Sequence, residues 1–204
     1  MSRQARNFLW TDSHIFRALS SLRRTLAVVL LCFILPIAAG QRILDLRGSP
    51  QDPLKAAPGK VVVLVFVRTD CPISNRYAAL IQEMSLKYER EATFWLVFPD
   101  KNQSAEQIRN YEQEYGYKLP ALRDLDHALV EKSKVKVTPE VGVFDLKREL
   151  VYHGRIDNLY RDFGKARRTA TTHELADAIE AASRGVAPPT ASAEGVGCFI
   201  SDLK

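Results

Sequence analysis

Cysteine is the residue type in this 204-residue chain best suited to chemistry, and there are three: Cys32, Cys71 and Cys198. A thiol becomes a nucleophile only as thiolate, and a helix N-terminus favours the thiolate through its unpaired N–H groups and partial positive charge. Cys71 has the sequence setting for this. A continuous apolar, β-branched run, Val61 to Val67, precedes it, and Pro72 follows, which suits the first turn of a helix, where a missing N–H costs nothing. Arg68 would assist ionisation and Asp70 would oppose it. A buried cysteine acting as a small hydrophobe is the other reading of the same residue.

Cys198 raises a second question. A lone thiol that has formed a mixed disulfide or a sulfenic acid has to be resolved by another thiol. Residues 186–204 read as a flexible Pro/Ala-rich tail carrying one. The twelve residues 186–197, at ~5–6 Å × √n, reach on the order of 20 Å, comparable with the size of a domain whose radius of gyration is on the order of 15 Å. Catalysis by Cys71 with a Cys71–Cys198 disulfide, an intermolecular disulfide, and an idle tail thiol are the three readings. His127, His153 and His173 are scattered, without Cys-x-x-Cys or His-x-x-x-His spacing, so no metal site is expected. Neither a Gly-rich phosphate loop nor a Ser/His/Asp signature is present, and no cofactor is implied.

Positioning Cys71 requires a scaffold, and the hydrophobic periodicity supplies one. Val61–Val67 has the pattern of a strand buried on both faces, as in a parallel sheet. Tyr77, Leu80, Ile81, Met84 and Tyr88 recur at helical spacing after it. Thr93 to Phe98 predicts a second buried strand. Ser104 and Gln107 form a capping box for a helix carrying Ile108, Tyr111 and Tyr115 on one side. This βαβα alternation argues for a right-handed parallel crossover. A short helix over 126–133 then leads to Val137-Thr138-Pro139. Glu140 to Leu146 and Leu150 to His153 are strands so closely joined, through Lys147-Arg148, that they must be antiparallel. Thr171 and Glu174 would cap a last helix with Leu175, Ala178, Ile179 and Ala182 inward. The fold class is α/β, a central mixed sheet flanked by helices over residues 41–185.

The charge and the leader bound the setting. The formal net charge is +5, but residues 1–40 hold five arginines against Asp12, leaving a nearly neutral body, so nucleic-acid binding is not expected. The uncharged apolar stretch Leu26 to Ala39, followed by Gly40, reads as a signal peptide or short membrane anchor, with cleavage after Gly40 preferred. It is short for a spanning helix, which wants ~20 apolar residues, and it contains Pro36. An exported chain, periplasmic or tethered to the membrane facing that compartment, would keep Cys71 and Cys198 where disulfides persist.

Thr69-Asp70-Cys71-Pro72-Ile73-Ser74 resembles the active-site turn of the thioredoxin superfamily, with Ser74 where dithiol members carry their second cysteine. Pro139 is similar in placement to that family's cis-proline. Together with Gly154-Arg155-Ile156-Asp157-Asn158, these residues resemble the redoxin or peroxiredoxin-like group over about residues 42–183. The resemblance implies a thioredoxin-like fold and an oxidoreductase. Its substrate would be a disulfide-bearing protein or a peroxide, and an external thiol would be its reductant. It implies that Pro139 faces Cys71 and that the Thr138 backbone pairs with bound peptide, with Thr69 and Ser74 lining the same groove. Arg155, and Arg68 beside the turn, could orient an anionic or peroxide-like ligand, or be solvated surface residues. True peroxiredoxins carry Pro-x-x-Thr-x-x-Cys; Val65 and Arg68 stand at those positions here. A partner-binding module without turnover is the alternative.

Overall fold

The protein was analysed as a computed structural model that describes residues 42–56, 58–201 and 203. The leader, with Cys32, lies outside the described residues. Gln41–Lys204 is one compact unit.

Its centre is a seven-stranded mixed sheet. Strand β2 (Val61–Phe66) pairs in parallel with β3 (Ala92–Phe98), and β3 with β4 (Ala121–Asp124). On the other side β2 pairs antiparallel with β6 (Glu140–Phe144), and β6 with β7 (Leu150–Gly154). A short β1 (Ile43–Asp45) closes one edge against β4. The other edge is closed by β10 (Ser192–Ala193), parallel to β7. The order is β1-β4-β3-β2-β6-β7-β10, with α1 (Pro72–Lys87), α2 (Ala105–Glu114), α3 (Ala128–Ser133) and α4 (Glu174–Ser183) on its faces.

Strand β2 is buried along its whole length, as a run without polar alternation requires. Its side chains part by period two. Val61, Val63 and Val65 join the cluster formed with α1, α2 and α4, whereas Val62, Leu64 and Phe66 join a second cluster with Leu129 and Val130 of α3. Helix α1 buries Ile73, Ser74, Tyr77, Ala78, Ile81 and Met84, the stripe expected from the sequence. The Ser104/Gln107 capping box forms, an arrangement worth about 1 kcal/mol.

Two expectations are corrected. Thr171 and Glu174 do not cap α4: His173 occupies the cap position without a side-chain bond. Asn158 holds Thr171 instead, accepting from its N–H at 2.7 Å and donating to its hydroxyl at 2.8 Å. Second, residues 186–201 are not a free tether, and the compact unit continues beyond 185. The segment runs back across the sheet edge as β10 and then forms β11 (Cys198–Phe199), antiparallel to β5 (Val137–Thr138). Backbone pairing fixes it: His153 and Arg155 donate their N–H groups to Ala191 and Ala193, at 3.1 and 2.9 Å. Gly154 makes this approach feasible, since at its φ of +128° a Cβ would stand 1.8 Å from the Ala193 carbonyl. The stretch Gly154–Asn158 is part of the scaffold. Asp157, buried, accepts from the Tyr77 hydroxyl, tying α1 to this loop.

Candidate functional site

The β2–α1 turn delivers Cys71. The chain leaves the sheet after Phe66, closes a turn with the Cys71 N–H on the Arg68 carbonyl (3.3 Å), and starts α1 with the Asn75 N–H on the Cys71 carbonyl (3.0 Å). Cys71 is the N-cap residue, with extended backbone angles and Pro72 at the first helical position. Its side chain makes no capping hydrogen bond, but the position lies at the positive end of the helix dipole.

From the opposite direction comes the β5–β6 corner. The Thr138–Pro139 peptide bond is cis, so the sequence expectation for Pro139 holds. The bend aims the Thr138 carbonyl at the thiol: Cys71 Sγ lies 3.0 Å from it, and the protonated thiol donates there. Thr138, Ser74 and Cys71 are all fully buried, and Thr69 is half-buried at the turn.

The tail lies against the same corner. In β11, Cys198 stands in register with Thr138, and Phe199 with Val137. The ladder continues with the Ile200 N–H on the Lys136 carbonyl at 3.0 Å. Side chains alternate along the segment as a strand dictates. Val196 and Cys198 pack towards the cluster that contains Cys71, Phe199 is 80% exposed, and Ile200 is 5% exposed within the second cluster. Both cysteines are free thiols.

Their electrostatics are unequal. Burial pushes Cys71 upward, but the Cys198 thiol, the Ser74 hydroxyl and the N–H groups of Ser74 and Cys198 outweigh it and hold Cys71 below the ordinary cysteine value. Ser74 Oγ is buried without a hydrogen-bond partner, so its hydroxyl is free to turn towards the sulfur. Cys198 is pushed up to about 12, first by burial and then by the adjacent Cys71 thiolate. Cys71 is therefore the more acidic of the two thiols and Cys198 the less acidic.

Arg68 and Arg155 are each engaged by carboxylates. Arg68 holds Asp70 at 2.8 Å and Asp100 at 3.3 Å, and it donates to the Phe199 carbonyl at 3.4 Å. It pins the tail. Arg155 is paired with Glu174 through Nε at 3.0 Å and through its terminal nitrogen. Neither guanidinium makes a hydrogen bond to the Cys71 sulfur.

Two positions were not singled out from sequence. Glu140, directly after the cis-proline and 6% exposed, accepts from Lys136 N–H (2.7 Å), Val137 N–H (3.2 Å) and Gly195 N–H (3.1 Å), joining the corner to the tail. Gly197 lies so close to the corner that a Cβ would stand 2.0 Å from the Thr138 carbonyl. The signal available was Gly195-x-Gly197 beside a cysteine, the composition of a closely approached backbone. Among the described residues no group of three or more His, Cys, Asp or Glu is placed to hold a metal ion, and no helix is long and apolar enough to cross a membrane.

Residues 59–150 match the family model described as thioredoxin-like. A hypothetical protein from Sinorhizobium meliloti 1021 has a similar structure, with a TM-score of 0.66 at 21% identity, covering 78% of this chain and 88% of its own. An uncharacterized conserved protein from Geobacillus kaustophilus gives 0.59 at 19% identity, with 70% and 77% covered. The pneumococcal exposed lipoprotein thioredoxin from Streptococcus pneumoniae gives 0.48 at 23%, with 54% and 84% covered. No curated protein matches the chain. The α/β fold, with its mixed sheet and flanking helices, is thioredoxin-like.

Proposed function

We propose that this thioredoxin-like chain is a thiol-dependent oxidoreductase in which Cys71 is the nucleophile and Cys198 resolves it. The observation that carries this is the meeting of three elements at one sulfur: a helix N-cap, the carbonyl before a cis-proline 3.0 Å away, and a second cysteine in register with that carbonyl. The lower thiol pKa of Cys71 relative to Cys198 supplies the asymmetry that thiol exchange needs.

The steps balance as follows. With the tail lifted, the Cys71 thiolate attacks one sulfur of a partner disulfide. A Cys71–partner bond forms, and the other partner sulfur leaves as thiolate and takes a proton from water. Cys198 then loses its proton and attacks the Cys71 sulfur, forming the Cys71–Cys198 disulfide and releasing the second partner sulfur as a thiol. The partner gains two electrons, the protein loses two, and an external thiol reductant restores the pair. Export, read from the leader, would set this chemistry where disulfides persist.

Disulfide exchange is favoured over peroxide reduction because Val65 and Arg68 replace the proline and threonine of the peroxiredoxin pattern and Arg155 is engaged by Glu174. The burial of Cys71 and the presence of Ser74 favour a second reading, a groove that binds a partner without turnover. Cys198→Ala decides between them. With an oxidised dithiol the variant should accumulate a mixed disulfide on Cys71, and a Cys71 that stays free in both proteins at saturating oxidant would leave only the binding reading.

A further inference from the structure

The strand that covers Cys71 belongs to the protein itself, and what it fits can be read residue by residue. Its backbone adds antiparallel to β5, which is sequence-independent recognition. Its side chains are not interchangeable. At the position before the cysteine, only glycine fits, because a Cβ on Gly197 would overlap the Thr138 carbonyl. The cysteine points to the Cys71 side. The next residue, Phe199, projects into solvent. Two positions after the cysteine, Ile200 is buried beside Val62, Leu64 and Leu129.

We infer that the groove selects extended partner segments of the pattern glycine, cysteine, any residue, large aliphatic, and that residues 195–200 are an internal copy of that partner. The inference rests on Cys71 being the reactive thiol that faces the groove. Partner and tail take the same place on β5, so they exclude one another. The tail must leave for the partner cysteine to reach Cys71, and its return brings Cys198 to the mixed disulfide while displacing the partner strand. Resolution and product release are thus one motion. Being tethered, the tail competes at an effective concentration on the order of millimolar, so the closed groove admits only segments that pair as well as the tail does.

The test separates docking from redox chemistry by using a thiol-free probe. A fluorescent peptide reproducing residues 194–201 with Cys198→Ser is titrated into full-length protein carrying Ile200→Glu, which removes the buried anchor, and into a second released variant, Gly197→Val. Saturable binding is expected for both, with affinity about tenfold or more above wild type, where the tail still competes. Peptides further carrying Gly197→Val or Ile200→Glu should bind at least about tenfold more weakly, the effect of one lost buried aliphatic contact or one backbone clash. Phe199→Ala in the peptide should change affinity less than about twofold. Equal binding of all peptides, or no binding to either released protein, overturns the inference. Selective binding by a protein whose Cys198→Ala variant traps no mixed disulfide would keep the groove and reject the redox function.

Discussion

Ile200→Ala gives the sharpest quantitative test of the covering strand. Ile200 is 5% exposed and belongs to the cluster on the α3 side of the sheet, and a buried isoleucine truncated to alanine costs about 2–5 kcal/mol. Cys71 has no exposed surface, so a reagent such as iodoacetamide meets it only when the segment opens, and the rate follows the population of the open form. The docked strand loses the isoleucine contacts, and the open strand had none to lose. At 1.4 kcal/mol per factor of ten, the smaller cost predicts alkylation of Cys71 about 30-fold faster in native conditions. The assay is mass-spectrometric quantification of modified Cys71 against time, in a Cys32→Ser background, with hydrogen exchange of β2 and β3 amides as the control for global opening. An increase below about threefold would refute this reasoning. So would an increase matched by the same loss of protection in β2, which would mean that Ile200 supports the whole domain and not a separable strand.

Further outcomes follow from individual residues. Ultraviolet titration of the reduced protein should show one thiol ionising below the ordinary cysteine value and the other at about 12; Ser74→Ala should move the first upward without lowering the melting temperature, because Ser74 Oγ has no other partner. Gly154→Ala should strain a φ of +128° and push against the Ala193 carbonyl, costing about 1–3 kcal/mol for the strain alone; limited proteolysis between 186 and 195 should become faster. Burial raises the Asp124 carboxyl above its ordinary value, although Leu129 and Val130 donate their N–H groups to it. A carboxyl so raised adds stability below its unfolded pKa and loses that contribution as pH rises through the folded one. Asp124→Asn should therefore raise the melting temperature at neutral pH and not at pH below the ordinary carboxylate range; a fall at neutral pH would contradict the assignment.

The residues that place Cys71 declare themselves in the sequence because each carries a strong local rule. Val61–Phe66 has no polar alternation and must be covered on both sides, Pro72 can only open a helix, and Ser104 with Gln107 closes a capping box whatever surrounds it. The cis bond at Pro139 is legible only in combination with that layout, since proline alone does not choose its isomer. The tail is the reverse case. Strands β10 and β11 are two residues each, too short for any periodicity, and the prolines and alanines before them have the composition of a tether. Their order comes from long-range pairing with β7 and β5, which no local window contains. The engagements of Arg68 and Arg155 were not legible for a related reason. A guanidinium near a cysteine in sequence has several carboxylates to choose from in space, and Asp70, Asp100 and Glu174 take them. Gly154 and Gly197 could have warned of close backbone contacts, though not of which strand would make them.

Mapping the disulfide formed when the reduced full chain, with Cys32→Ser, meets one equivalent of an oxidised dithiol tests the redox pair most directly. Peptide mapping should find a single intramolecular bond between Cys71 and Cys198, formed with loss of two hydrogens from the protein. Recovery of Cys71 as a free thiol, while Cys198 is oxidised alone or joined to a second chain, would contradict it.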